Sequence, residues 1–269
     1  CTCPALLSAA QQCARPLLIG FAVFAIAVQS NARLKVESAE VKPAPVVESA
    51  AEVPKVAAHI ACVAHIARAV TEVPVEDDQG RWLDLCAGPG GKAALIGAIA
   101  AIDGARVDAV EVSPHRAELI SKTVRGLPVT VHTADGRNPG LEPGYDRVLV
   151  DAPCSGLGAL RRRPEARWTK SEDDIAELTV LQRELLTSAL DLVKPGGVVV
   201  YSTCSPDVRE TRGVVDAVLA GGGVEELDAG QYAAGMDDVG DEPSVQMWPH
   251  RHGTDAMFYA VLRKTGTLG

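Results

Sequence analysis

The sequence predicts an α/β fold, a mostly parallel sheet with helices on both faces, on three observations. From Arg81 onward, short apolar runs rich in Val alternate with longer stretches of helical period. The clearest runs, Val148-Leu149-Val150 and Val198-Val199-Val200, are continuous rather than alternating, as strands buried on both faces are. Their ends carry chemically active residues: Asp151-Ala152-Pro153-Cys154-Ser155-Gly156 after one, Thr203-Cys204-Ser205-Pro206 after the other. In open sheets of this kind, ligands bind beyond the carboxyl ends of the strands.

Residues 1–80 differ in character from the rest. Leu17 to Val28 is a continuous apolar run, short of the roughly 20 residues a bilayer span needs. A buried helix or strand is favoured for it over the core of a signal peptide, for which Arg15 would be the charged flank. Arg33 to Glu40 alternates like a short strand, prolines at 43, 45 and 54 interrupt the segment, and Ala57 to Val70 has the composition of a helix apolar nearly all round. His59 and His65 are six apart, which does not place them on one helix face as metal ligands. Glu72 to Gly80 is polar and marks a boundary. We therefore expect an atypical Ala/Val-rich segment over 1–80 and a catalytic domain over 81–269.

In that second part, strands are predicted at Trp82–Cys86, Arg106–Val112, Val129–Ala134, Tyr145–Asp151, Val198–Thr203 and Met257–Leu262. Helices are predicted at Lys92–Ala101, Pro114–Arg125, Glu172–Val193 and Asp207–Leu219. Lys194-Pro195-Gly196-Gly197 is a helix stop. Gly221–Ser244, acidic and glycine-rich, is expected to be a surface excursion.

The net charge of −9 argues against a protein that coats nucleic acid, though not against a local basic track. Seven cysteines, an odd count without CxxC or zinc-ligand spacing, argue against a disulfide framework and for a reduced, cytoplasmic setting. No metal is expected.

Leu83-Asp84-Leu85-Cys86-Ala87-Gly88-Pro89-Gly90-Gly91-Lys92 is a glycine-rich strand-to-helix turn. Its glycines let backbone approach a ligand at a helix N-terminus. It is neither GxGxxG nor a P-loop. Glu111 ends the next strand, where an acid can accept from both ribose hydroxyls. Asp135 ends the third, placed to take the exocyclic amine of an adenine. One such turn and two acids suit an adenosine ligand without pyrophosphate, and S-adenosyl-L-methionine is the candidate. The cofactor set is thus Cys86, Ala87, Gly88, Pro89, Gly90, Gly91, Lys92, Glu111 and Asp135, with Asp151 beside it on the next strand end.

Two strand ends bearing cysteines, Cys154 and Cys204, stand at the same edge. A buried, inert thiol is the ordinary state of a free cysteine, and Cys86 is assigned that state. Cys204 is not in a phosphatase loop, since Arg209 is five residues on, where CxxxxxR needs six.

LDLCAGPGGK, VDAPCSGLGALRRRPEARW and YSTCSPDVRE, with WPHRHGTDAMFYAVL near the end, resemble the RsmB/Fmu/Sun family of RNA cytosine-5 methyltransferases from about Trp82 to the end of the chain. The resemblance implies a Rossmann-like class I S-adenosylmethionine-dependent methyltransferase with a seven-stranded sheet, and a monomer acting on RNA, 16S rRNA foremost. It implies that Cys204 of the TCS motif adds to carbon 6 of cytosine and so activates carbon 5. Cys154 of the PCS motif assists breakdown of the adduct, Asp151 holds the base, and Pro153 shapes its pocket. Spacing alone leaves open which cysteine attacks: DNA cytosine methyltransferases resemble the reverse assignment, and the STCS match decides for Cys204. Arg161, Arg162, Arg163, Arg167 and Lys170, with Trp168 among them, are the expected RNA track. His250, Arg251 and His252 are candidates for a further wall. The upstream segment would be a truncated RNA-binding or accessory subdomain. The alternatives are a tRNA cytosine-5 methyltransferase and a non-catalytic scaffold that binds the cofactor and RNA.

Overall fold

The computed structural model describes residues 53–233 and 235–267; the predicted segments Leu17–Val28 and Arg33–Glu40 lie outside them. In chain order the elements are α1 (Val53–Glu72), β1 (Arg81–Asp84), α2 (Gly91–Asp103), β2 (Arg106–Glu111), α3 (Pro114–Thr123), β3 (Val129–Thr133) and β4 (Tyr145–Asp151). There follow α4 (Ala166–Thr169), α5 (Glu172–Leu192), β5 (Val193–Thr203), α6 (Arg212–Leu219), β6 (Val224–Leu227), β7 (Val245–Gln246), α7 (Pro249–His252) and β8 (Phe258–Lys264). The sheet runs β3-β2-β1-β4-β5-β8-β6, seven strands as expected, with the two-residue β7 paired to β8 off this path. β1 to β5 are mutually parallel, and β8 runs antiparallel between β5 and β6.

Side-chain alternation along the strands sorts the core into two layers. Trp82, Leu149, Val198 and Val200 face α1 and α2 through Ile66, Val70, Leu95 and Ile99. Leu83, Val148, Val150, Val199 and Tyr201 face α5 and α6 through Leu186, Leu190, Val214 and Val218. The strands read as unbroken apolar runs because each residue finds one layer or the other. α5 starts on a capping box, with Ser171 Oγ accepting from the Asp174 amide and the Asp174 carboxylate accepting from the Ser171 amide; such a cap contributes about 1 kcal/mol.

The polar Glu72–Gly80 stretch is tied down by a buried arginine on β4. Arg147 donates to the carbonyls of Val70 and Val73 (2.9 and 2.6 Å) and pairs with Asp78 (2.7 Å).

Three predictions need correction. The helix stop holds, with α5 ending at Leu192, but β5 begins at Val193 rather than Val198, so Lys194-Pro195-Gly196-Gly197 belongs to its irregular start. There the β4–β5 register shifts between Tyr145 and Arg147, and Lys194 pairs with the buried Asp146 at 2.6 Å. Asp207–Leu219 is not one helix: a 3-10 turn at Val208–Glu210 is broken from α6 at Thr211, whose ψ of −104° is non-helical, and Glu210 turns inward. Gly221–Ser244 is only partly an excursion. Its Val224–Leu227 is the edge strand β6, where Val224 and Leu227 pack on the core and Glu226 pairs with Arg212 at 2.7 Å.

Among the described residues, no helix is long and apolar enough to cross a membrane.

Candidate active site

The centre of the sheet fixes the site. β2 and β3 lie to one side of β1, β4 and β5 to the other. The loops after β1 and β4 therefore diverge and leave a crevice at the carboxyl edge.

The turn after β1 is stitched to both neighbouring strands. The Leu85 amide donates to the Leu149 carbonyl and the Ala87 amide to the Val110 carbonyl, each at 2.9 Å. A Cβ on Gly88 would overlap the Glu111 carboxylate, so a side chain there would displace that acid from its place against the turn. Glu111 is buried; its Oε1 accepts from the Ser113 amide (2.8 Å) and pairs with Arg116 (3.0 Å).

Beside this turn is a cavity of about 300 Å³, within the size range of small-ligand sites. Leu85, Val110, Leu181 and Leu185 give it apolar walls, and Glu111, Asp135 and Asp151 bring carboxylates to it. Cys86, Gly88 and Pro153 line it as well, while Ala87, Pro89, Gly90 and Gly91 form the turn behind. Sequence reasoning missed Val112, 60% exposed at this cavity, and the α5 leucines. An apolar residue directly after a strand-ending acid was the available signal. It also missed Arg137, which pairs with Asp135 at 2.6 Å and with Glu184 at 3.2 Å and holds the Asp135 carboxyl below its usual range. Asp135 thus reaches the cavity already bonded to a cation, with its remaining lone pairs available.

Asp84, at the end of β1, is fully buried, and neither carboxylate oxygen finds a hydrogen bond of good geometry among the described residues. Burial, and then the Asp151 charge, push its pKa up to about 7. An unsatisfied acid under the turn, an acid cradled at the end of β2 and an apolar-walled cavity fit a ligand bearing an adenosine and an ammonium group.

The second half of the site holds the thiols. Cys154 and Cys204 Sγ lie 3.4 Å apart across the β4 and β5 ends. A thiol hydrogen bond from Cys154 lowers the Cys204 pKa against the opposing effects of burial and Asp151, and the Lys92 and Arg162 charges help. The same bond, together with burial, raises Cys154. Of the pair, Cys204 is thus the more acidic thiol and Cys154 the less acidic. Asp151 sits beside them: its Oδ1 accepts from Ser202 Oγ (2.9 Å), and its Oδ2 from Lys92 Nζ (2.7 Å). Burial disfavours the Lys92 charge, but Asp151 outweighs it and the pKa rises. Lys92 is thus held on Asp151 and is not among the residues lining the cavity.

Behind the thiols, Glu210 is a buried carboxylate that sequence reading placed in a helix and did not single out. Among the described residues there is no cluster of His, Cys, Asp and Glu able to hold a metal ion.

The arginine track divides. Arg161 donates to the carbonyls of Gly253 and Thr254 (3.0 and 2.8 Å), and Arg162 pairs with the buried Asp255 (2.5 Å). These two side chains brace the segment before β8 against the Cys154 loop. Arg163, Arg167 and Lys170 are exposed, and Trp168 is 83% exposed on α4. Arg251 pairs with Asp238, and His252 accepts from the Trp248 amide and contacts the Asp237 carbonyl, leaving His250 exposed beside the Trp248 ring.

Comparison with known proteins gives a consistent set. The profile of the 16S rRNA methyltransferase RsmB/F family matches residues 70–263. Rv1407 of Mycobacterium tuberculosis, which bears the name of a methyltransferase, is 57% identical over 200 residues, 74% of this chain and 44% of its own. Ribosomal RNA small subunit methyltransferase B of Salmonella arizonae is 39% identical over 187 residues, 68% of this chain and 42% of its own. This chain therefore spans less than half the length of these curated relatives. NSun6 from Pyrococcus horikoshii, solved with SFG, an S-adenosylmethionine analogue, superposes with a TM-score of 0.64 at 27% identity, covering 76% of this chain and 52% of that one.

Proposed function

We propose a function from one established premise: this chain belongs to the 16S rRNA methyltransferase RsmB/F family, a family of S-adenosylmethionine-dependent methyltransferases. The chain methylates carbon 5 of a cytosine in small-subunit ribosomal RNA through a covalent adduct on Cys204. The observation that carries this reading is the thiol pair 3.4 Å apart at the sheet edge, beside Asp151.

Glu111, Asp135 and the Cys86–Gly91 turn would hold the adenosine portion of the cofactor, and Asp84 would face its ammonium group. When bound, S-adenosylmethionine supplies an electrophilic methyl group. Carbon 5 of cytosine is too weak a nucleophile to take that group unaided. Cys204, made more acidic by Cys154, Lys92 and Arg162, adds as the thiolate to carbon 6 and drives electron density to carbon 5. Asp151 has lone pairs beyond those used by Ser202 and Lys92, and with them holds the amino-pyrimidine edge of the base. After transfer, the proton on carbon 5 leaves to a base. Its bonding electrons re-form the ring double bond as the carbon–sulfur bond breaks. Cys154 assists that departure by hydrogen-bonding the leaving thiolate.

The base must be out of its helical stack to enter this crevice. Trp168 offers a stacking face, and Arg163, Arg167 and Lys170 offer phosphate contacts, so RNA capture needs no overall positive charge. Bisulfite mapping of RNA from cells with and without the intact protein tests the reading. The expected result is one or more small-subunit rRNA cytosines protected only when the protein is present. An unchanged methylation map overturns it.

A further inference from the structure

We propose that Glu210 is a positioning residue that locks the Cys154 loop against Cys204 and thereby sets the rate of adduct release. The inference deepens the cytosine-5 reading and rests on it.

Glu210 is fully buried and does not line the cofactor cavity. Its carboxylate gathers three donors. Oε1 accepts from the Ser155 amide (2.8 Å) and Gln182 Nε2 (3.1 Å), and Oε2 accepts from Ser155 Oγ (2.5 Å). The same Gln182 nitrogen donates to the Pro153 carbonyl at 2.9 Å. Both residues that flank Cys154 are thus fixed by one acid, Ser155 directly and Pro153 through Gln182. A carboxylate only accepts, so it holds the Ser155 amide and hydroxyl turned toward itself. Loss of this acceptor leaves buried donors unpaired and frees the loop to turn.

Glu210 is itself anchored to the other thiol's strand. Tyr201 of β5 donates its hydroxyl to the Glu210 carbonyl at 2.7 Å. The loops meet again where Ser155 and Ser205 hydroxyls lie 3.4 Å apart and where the Gly158 amide donates to the Cys204 carbonyl at 2.9 Å. A Cβ on Gly158 would strike the Cys204 and Ala256 carbonyls, so the second of these contacts requires glycine.

The two thiols depend on this clamp unequally. Cys204 directly follows Thr203, which is paired with Phe258 in the sheet. Cys154 lies beyond the end of β4, and its flanks are held through Glu210. Loosening the clamp leaves Cys204 in its place after β5 and costs it only the Cys154 hydrogen bond, so attack slows less than release. It misplaces the thiol that stabilises the departing sulfur when the carbon 6–sulfur bond breaks and its electron pair returns to Cys204.

The test compares wild type with Glu210→Ala, Glu210→Gln, Gln182→Ala and Cys154→Ala, each incubated with unmodified 16S rRNA transcript and S-adenosylmethionine and run on a denaturing gel. Glu210→Ala is expected to accumulate RNA-linked protein several-fold above wild type and below Cys154→Ala, with cofactor binding by titration calorimetry unchanged. Glu210→Gln keeps an oxygen for the Ser155 amide and returns the adduct level toward wild type. Gln182→Ala, which cuts the Pro153 link and one donor to Glu210 but spares both Ser155 bonds, raises the adduct level as Glu210→Ala does but by less, and decides the matter should Glu210→Ala not fold. Glu210→Ala at the wild-type adduct level, or adduct and turnover falling together, overturns the inference while Cys154→Ala still traps RNA. If Cys154→Ala traps nothing, the cytosine-5 reading fails and this inference with it.

Discussion

Cys86 and Cys204 stand at the ends of neighbouring regions of one sheet edge, and the structure gives them opposite character. Burial pushes the Cys86 thiol far up, and the carboxylates of Asp84, Asp151, Glu111 and Asp135 push the same way. Cys204 is nearly as buried, yet a thiol donor and two cations bring it down. The cofactor half of the edge is a carboxylate field suited to hydroxyls, amines and cations, in which a thiolate is disfavoured. The thiol half feels the charges of Lys92, bonded to Asp151, and Arg162, bonded to Asp255. Position at a strand end thus does not set a cysteine's acidity; the groups around it do.

The largest effect that would break this contrast is on turnover. Cys204→Ser is expected to reduce methyl transfer by a factor on the order of 10³ or more, whereas Cys86→Ala stays within a few-fold; comparable losses in both would contradict the division. On the cofactor side, Glu111→Ala removes acceptors for two hydroxyls. It is expected to weaken S-adenosylmethionine binding by about 10- to 100-fold, from about 1.5–3 kcal/mol for hydrogen bonds to a charged group. Titration calorimetry measures it, and unaltered affinity would remove Glu111 from the site.

Asp84 gives a stability test of the carboxylate field. Its carboxyl titrates near 3.8 when unfolded and near 7 when buried. Between those values the native state keeps a proton that the unfolded chain has released, so stability falls as pH rises through that window. Asp84→Asn cannot ionise. The cofactor-free variant is expected to lose that slope and to exceed wild type at pH 8 by a few kcal/mol, on the order of 2–4. Urea unfolding at a series of pH values would show it; a variant less stable than wild type at pH 8 would contradict the burial argument. The smallest effect is one of order: with rising pH, iodoacetamide should alkylate Cys204 before Cys86. Mass-spectrometric peptide mapping reads this, and the reverse order would undo the comparison.

What was legible in the sequence follows the same division. Val148–Asp151 and Val198–Thr203 were readable because strands covered on both faces are apolar throughout, and the glycine-rich turn because close backbone approach admits no side chain. Boundaries failed where long-range contacts overrule local preference. Pro195 and Gly196 sit inside a strand because Lys194 is held by Asp146, 48 positions earlier in the chain. β6 was hidden because an edge strand has one neighbour and need not be apolar. The pairings that set the chemistry were not legible at all: Lys92 meets Asp151 across 59 residues and Ser155 meets Glu210 across 55. No local pattern marks such partners.

The central claim is that Cys204 attacks and Cys154 releases. The most direct measurement incubates Cys154→Ala with 16S rRNA transcript and S-adenosylmethionine, digests the product with protease and nuclease, and locates the nucleotide by mass. The expected result is a methylated cytidine nucleotide on the peptide containing Cys204 and on no other. An adduct on Cys86, or none on Cys204 while the RNA is methylated, would contradict the account.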